Sequence, residues 1–245
     1  MLILFDAGNT RLKWGVWSEG RWQDKGALAN DALAELPARL APFAPSWIGA
    51  SCVAGAAVRE RIDHYAHGCG VAPYWLRSSA AVFGMTSRYS DPESLGPDRF
   101  AALFACYCLG LAPCVMVTAG TALTVDALAS DGVFQGGTIV PGAMLMRRSL
   151  ADGTAGLANS SGVCQDFPRA TVDAIETGVR DALVGAVEAP RARLERLEGR
   201  SVSVMLSGGD ADVLAHNLRG EVRVVDNMVL EGLHWLAKHL GVPGA

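Results

Sequence analysis

Near its start the chain alternates apolar and polar positions: Leu12, Trp14 and Val16 are separated by Lys13 and Gly15, the two-residue period of a strand with one face buried. An uninterrupted apolar run, residues 2–5, precedes it, and residues 21–28 add a third strand, so the chain opens as a meander. The period then lengthens. Residues 31–40 and 56–66 have helical spacing, with strands expected at 47–53 and 74–77, which gives the order βββαβαβ. The second half repeats it, with strands at 114–117, 123–128 and 133–140, and helices from Gly142 and Thr171. A strand at 202–206, a helix from Asp210, a strand at 222–225 and a last helix from Met228 complete the second set. The pattern predicts a duplicated α/β protein. Gly110 to Pro113 interrupt it, so the lobes are expected to be residues 1–112 and 113–245.

Each half begins with a strand, an Ala-Gly turn rich in small polar residues, and a second strand: Asp6-Ala7-Gly8-Asn9-Thr10-Arg11 in the first, Thr118-Ala119-Gly120-Thr121-Ala122-Leu123 in the second. Such tips present backbone N–H groups and side-chain donors in a concave turn, where phosphate oxygens bind well. In a two-lobed protein the two tips would hold one polyphosphate from opposite sides, a nucleotide clamp.

Composition narrows the field. Of 245 residues, 50 % are hydrophobic, enough for a sizeable core, and the formal net charge of −4 with no long basic run argues against a nucleic-acid partner. The six cysteines form no CxxC pair and no zinc-like cluster, so they read as reduced cytosolic thiols. Residues 100–117 carry no charge and approach the length of a membrane span, but Gly110 and Pro113 divide the run into a helix and a strand, which removes the need for a membrane. P-loop, complete dinucleotide-fingerprint, zincin and esterase-elbow motifs are all missing.

Asp6 ends a buried strand, where a carboxylate needs a partner. It either meets a hydrated Mg²⁺ carried by ATP or bonds its own turn backbone. Thr10, Arg11 and Lys13 follow within reach of a phosphate, or serve as ordinary solvated strand residues. A second polar cluster, Asp91 to Arg99, runs into an apolar helix with Pro97 suited to its first position. Asp98 there gains from the helix dipole. The same dipole keeps its carboxylate ionised to accept a proton, and Arg99 offers a charge for an anionic substrate group. Gly136-Gly137-Thr138-Ile139-Val140-Pro141-Gly142 and Ser207-Gly208-Gly209-Asp210 let a ligand approach the backbone closely or merely turn the chain; the latter could also seat adenine and ribose. Residues 152–170, rich in small residues, are a lid or a surface excursion.

Taken in order, these motifs resemble type III pantothenate kinases, of the acetate and sugar kinase/Hsp70/actin superfamily. Asp6 to Arg11 is similar to the family's first phosphate motif, Gly96-Pro97-Asp98-Arg99 to its pantothenate motif, and Ala119 to Thr124 to its second phosphate motif. The Gly136 to Gly142 and Thr171 to Gly178 segments match later blocks. The resemblance implies two RNase H-like lobes and ATP-dependent phosphorylation of pantothenate to 4′-phosphopantothenate, the first step of coenzyme A biosynthesis. It makes Asp98 the general base. Asp6, Ala7, Gly8, Asn9, Thr10, Arg11, Leu12, Lys13, Gly120 and Thr121 would contact ATP, with Asp6 holding Mg²⁺ through water. Tyr89, Gly96, Pro97, Asp98, Arg99 and Thr171 would line the pantothenate pocket of a cytoplasmic homodimer. In many members an aspartate ligating K⁺ or NH₄⁺ stands where this chain has Thr118; Asp126 lies eight residues later, and activity without added K⁺ is the expectation. Other readings stay open: a kinase or phosphatase for another small substrate, or a nucleotide-binding regulatory protein of the same fold.

Overall fold

A computed structural model describes residues 1–154 and 162–245. The chain divides into two compact units, Met1–Leu111 with Asn227–Ala245, and Ala112–Asp226. The first begins with strands β1 (Leu2–Ala7), β2 (Arg11–Ser18) and β3 (Arg21–Ala29). A 3₁₀ turn (Asn30–Glu35) runs into helix α1 (Leu36–Leu40), followed by β4 (Trp47–Cys52), α2 (Ala56–Gly68) and β5 (Tyr74–Trp75). A short hairpin, β6 (Ala81–Val82) and β7 (Met85–Ser87), a 3₁₀ turn (Pro92–Ser94) and α3 (Pro97–Cys108) come next. The main sheet runs β3-β2-β1-β4-β5, with β1 antiparallel to β2 and parallel to β4.

The second unit comprises β8 (Cys114–Ala119), β9 (Ala122–Leu128), β10 (Val133–Pro141), α4 (Ala143–Gly153), α5 (Thr171–Glu198), β11 (Ser203–Ser207), α6 (Ala211–Ala215) and β12 (Val222–Val224). Its five strands run β12-β11-β8-β9-β10. Read from β10, that is the first sheet's order, a meander whose first strand is extended by two further parallel strands, each reached by a crossover. The chain thus folds as the duplicated α/β pair that its periodicity predicts.

Helix α7 (Met228–His239) is the departure. Expected with the second lobe, it belongs to the first unit. The reason is packing: Gly232 of α7 lets the helix backbone approach Ala101 of α3 so closely that a Cβ would clash. Trp22 of β3 also donates to Glu231 at 2.8 Å. The opposite face of the first sheet carries Leu12, Trp14 and Val16 into a core with Leu36, Leu40 and Ile62 of the helices. Two indoles lie across glycines, Trp14 over Gly26 and Trp22 over Gly15, where any Cβ would meet the ring.

In the second unit Val115, Val117, Leu123 and Val125 pack on Val179, Leu183 and Val187 of α5. That helix continues through Pro190, and the next residue, Arg191, ties it down by facing Glu195 at 3.3 Å and donating to the Arg219 carbonyl. The charge-free run 100–117 resolves into α3 and β8, and among the described residues no helix is long and apolar enough to cross a membrane.

Candidate functional site

Strand alternation decides which residues of the first hairpin can meet a ligand. Asp6 and Lys13 sit directly opposite in register, on one face of the sheet, with Nζ 4.0 Å from Oδ2. Ala7 and Leu12, the next pair, turn into the core. The side chain of Leu12 is fully buried, so its expected ATP contact is corrected to a backbone one at most. The turn closes when Gly8 N–H donates to the Arg11 carbonyl at 3.1 Å. Asn9, Thr10 and Arg11 are exposed at the tip. Asn30 donates its amide to the Gly8 and Asn9 carbonyls, both at 3.0 Å, which ties the tip to the residue that follows β3.

Asp6 is only 8 % exposed. Burial raises its pKa above the usual carboxylate value; the Lys13 charge and a hydrogen bond from Asn227 pull it back, while the Asp98 carboxylate pushes it up again. Asn227 Nδ2 lies 3.0 Å from Asp6 Oδ2. The same side chain is the N-cap of α7, its Oδ1 accepting from Val229 and Leu230 N–H at 3.0 and 3.1 Å.

Asp98 occupies the first turn of α3, where Pro97 starts the helix and Gly96 precedes it. Its Oδ1 accepts from Arg99 N–H at 2.8 Å. A Cβ on Gly96 would lie 2.6 Å from that oxygen, so glycine makes the room in which the carboxylate folds over the helix start. Arg99 is buried and donates to the Tyr89 hydroxyl at 3.1 Å, its guanidinium 5.7 Å from the Tyr89 ring centre. The structure therefore gathers Asp6, Lys13, Asp98, Arg99 and Tyr89 in one unit.

The remaining expected residues belong to the second unit. Its hairpin closes through Gly120 N–H to the Ala122 carbonyl at 3.1 Å. Two glycine backbones brace it: Gly142 donates to the Thr121 carbonyl at 2.9 Å, and Gly208, at φ +108°, crosses Ala119 where a Cβ would clash. Beside this hairpin is a cleft of about 350 Å³, lined by Gly120, Gly142, Asp210 and a bidentate Arg147–Glu176 pair at 2.6 and 2.7 Å. Thr118 pairs with Thr124 across the ladder, and Asp126 shares that face two pairs further from the tip, buried. Thr171 starts α5 and lines a shallow groove with Met146, Ser149 and Ala174. Of the stretch read as a lid, 155–161 lie outside the described residues.

Among the described residues no three His, Cys, Asp or Glu side chains converge on a metal position. Asp6 offers a carboxylate beside the first hairpin, a donor suited to Mg²⁺, which keeps waters and takes phosphate oxygens rather than an all-protein cage. Asn30 and Asn227 are the polar residues that sequence reasoning missed. Asn227 carried a signal, a capping residue directly before an apolar helix, but nothing in the sequence pointed it at Asp6.

A model of the type III pantothenate kinase family matches residues 2–193. The type III pantothenate kinase of Thiobacillus denitrificans is 42 % identical over 236 residues, covering 96 % of this chain and 96 % of that protein. The type III pantothenate kinase of Aromatoleum aromaticum is 42 % identical over 240 residues, covering 97 % and 98 %. Among solved structures, the activator of the 2-hydroxyisocaproyl-CoA dehydratase from Clostridium difficile, with bound ADPNP, aligns at a TM-score of 0.52 over 98 % of this chain and 94 % of that one. At 9 % identity that likeness is one of fold.

Proposed function

The chain belongs to the type III pantothenate kinase family, and we infer from that premise how its own residues carry out transfer of the γ-phosphoryl group of ATP to pantothenate, which opens coenzyme A biosynthesis. The observation that carries the reading is the placing of Asp98 on the start of α3, close enough to Asp6 for the two carboxylates to repel, with Arg99 and Tyr89 bonded beside it.

Asp98 accepts the proton of the pantothenate hydroxyl as that oxygen attacks the γ-phosphorus. Phosphoryl transfer leaves the protein mainly positioning and charge stabilisation to supply, and the remaining residues fit those tasks. Past the N–H of Gly8, which closes the turn, the Asn9 to Arg11 tip and the Lys13 charge hold phosphate oxygens, and the Gly120–Thr121 turn of the second hairpin is its counterpart. Arg99, steadied by the Tyr89 hydroxyl, orients the anionic end of pantothenate, with Gly96, Pro97 and Thr171 as further pocket residues. Mg²⁺, arriving with ATP, supplies charge neutralisation at the phosphates, and Asp6 would hold it through water. The same reading makes the protein a cytoplasmic homodimer.

The test is ADP release from Mg·ATP with and without pantothenate, run in Na⁺ and in K⁺ buffers. Turnover that depends on pantothenate supports the reading. Nucleotide binding with no turnover of any small acceptor would overturn it in favour of a regulatory nucleotide-binding protein.

A further inference from the structure

We propose that Asn227 is a positioning residue for Asp6, fixing the carboxylate that meets Mg·ATP with one end of its amide while capping α7 with the other. The proposal rests on the role of Asp6 given above. It is carried by geometry. Val229 and Leu230 both present N–H groups to Asn227, so the oxygen of its amide must face them, and only the nitrogen is left to face Asp6. The amide orientation is thereby fixed by the backbone.

Among the described residues, Lys13 and Asn227 face Asp6 and are neighbours of different kinds. Lys13, at 4.0 Å and half exposed, is a long side chain free to move toward a phosphate when nucleotide arrives. Asn227 is buried, 3.0 Å away, and immobilised by the helix it caps. One neighbour can leave and the other cannot. Asn227 is also the first residue of the segment that returns to the first unit, so the seating of α7 and the direction of the Asp6 carboxylate are set by the same side chain.

Two substitutions separate capping from positioning. Asn227→Ser retains an acceptor for the helix N–H groups and removes the donor to Asp6. Asn227→Asp retains the acceptor oxygen and the shape, and replaces the donor with a second carboxylate beside Asp6. We expect calorimetric affinity for Mg·ADP to fall about tenfold or more in both, the usual scale for a hydrogen bond to a charged group. Affinity for ADP without Mg²⁺ should change by less than about threefold, and the melting temperature of Asn227→Ser should stay near that of the unaltered protein, because its cap survives. In turnover, KM for Mg·ATP should rise while KM for pantothenate holds. Equal losses with and without Mg²⁺, or unaltered Mg·ADP binding in both variants, would overturn the proposal and leave Asn227 a helix cap. If the unaltered protein binds Mg·ADP but shows no pantothenate-dependent turnover, the proposed reaction fails while the Asn227 result still decides the positioning claim.

Discussion

Asp98 owes its reach to a neighbour with no side chain. Replacing Asp98 by Asn keeps the shape and removes the base, so kcat should fall by about 10²–10⁴-fold while calorimetric Mg·ADP affinity holds. Gly96→Ala would put a methyl 2.6 Å from Asp98 Oδ1 and force the carboxylate aside. It should lower kcat in the same direction and by less, because the base is displaced rather than lost. Thr118 offers a neutral hydroxyl and no carboxylate to a monovalent cation, and we expect equal turnover in Na⁺ and K⁺ buffers; an absolute K⁺ requirement would count against it. Asp6 stood out because it puts a charge at the end of an apolar run, and Asp98 because it sits in a polar cluster at the start of an apolar helix. Leu12 was misread because a run of consecutive motif residues hides the alternation of a strand, which sends every second side chain into the core. Asn30 was illegible: it bonds across 22 residues, and an asparagine after a strand looks like any turn.

The first hairpin depends on what lies behind it. With Asn30→Ala the Gly8 and Asn9 carbonyls lose their side-chain donor and the tip loses its tie to the residue after β3; KM for ATP should rise several-fold with little change in kcat, measured by ADP release. Helix α7 lies against α3 through Gly232, so Gly232→Ala should destabilise the protein by about 1–3 kcal/mol in urea unfolding, the usual cost of overpacking. Strand and helix positions were readable wherever the apolar period ran long enough. Hairpin β6–β7 was not, since two strands of two and three residues carry no period. The segment expected as one helix at 31–40 is a 3₁₀ turn followed by a five-residue helix with Pro37 in its first turn.

At the level of the whole molecule, the matching strand orders of the two sheets follow from a duplication visible in the periodicity, while the placing of α7 depends on tertiary packing that no local pattern encodes. The core of the first unit also sets a pH dependence. His234 stacks on Trp17 with ring centres 3.9 Å apart, and burial, aided by the Lys238 charge, lowers its pKa from 6.5 to about 4. Between those values the unfolded chain binds the proton that the folded one refuses. Stability from this group is therefore present above pH 6.5 and lost as pH falls through about 4. Thermal melts at pH 7 and 4.5 should show a smaller drop for His234→Gln than for the unaltered protein. Finally, a unit whose last helix is encoded after a complete second unit has an order of assembly during synthesis. The ribosome releases β1 and its buried carboxylate early, then the contiguous second unit, and only after it the helix that covers the first sheet. Nascent chains stalled before Asn227 should be cut by protease in the first unit and resist in the second. Asp6 would wait, during every round of translation, for Asn227 to be made.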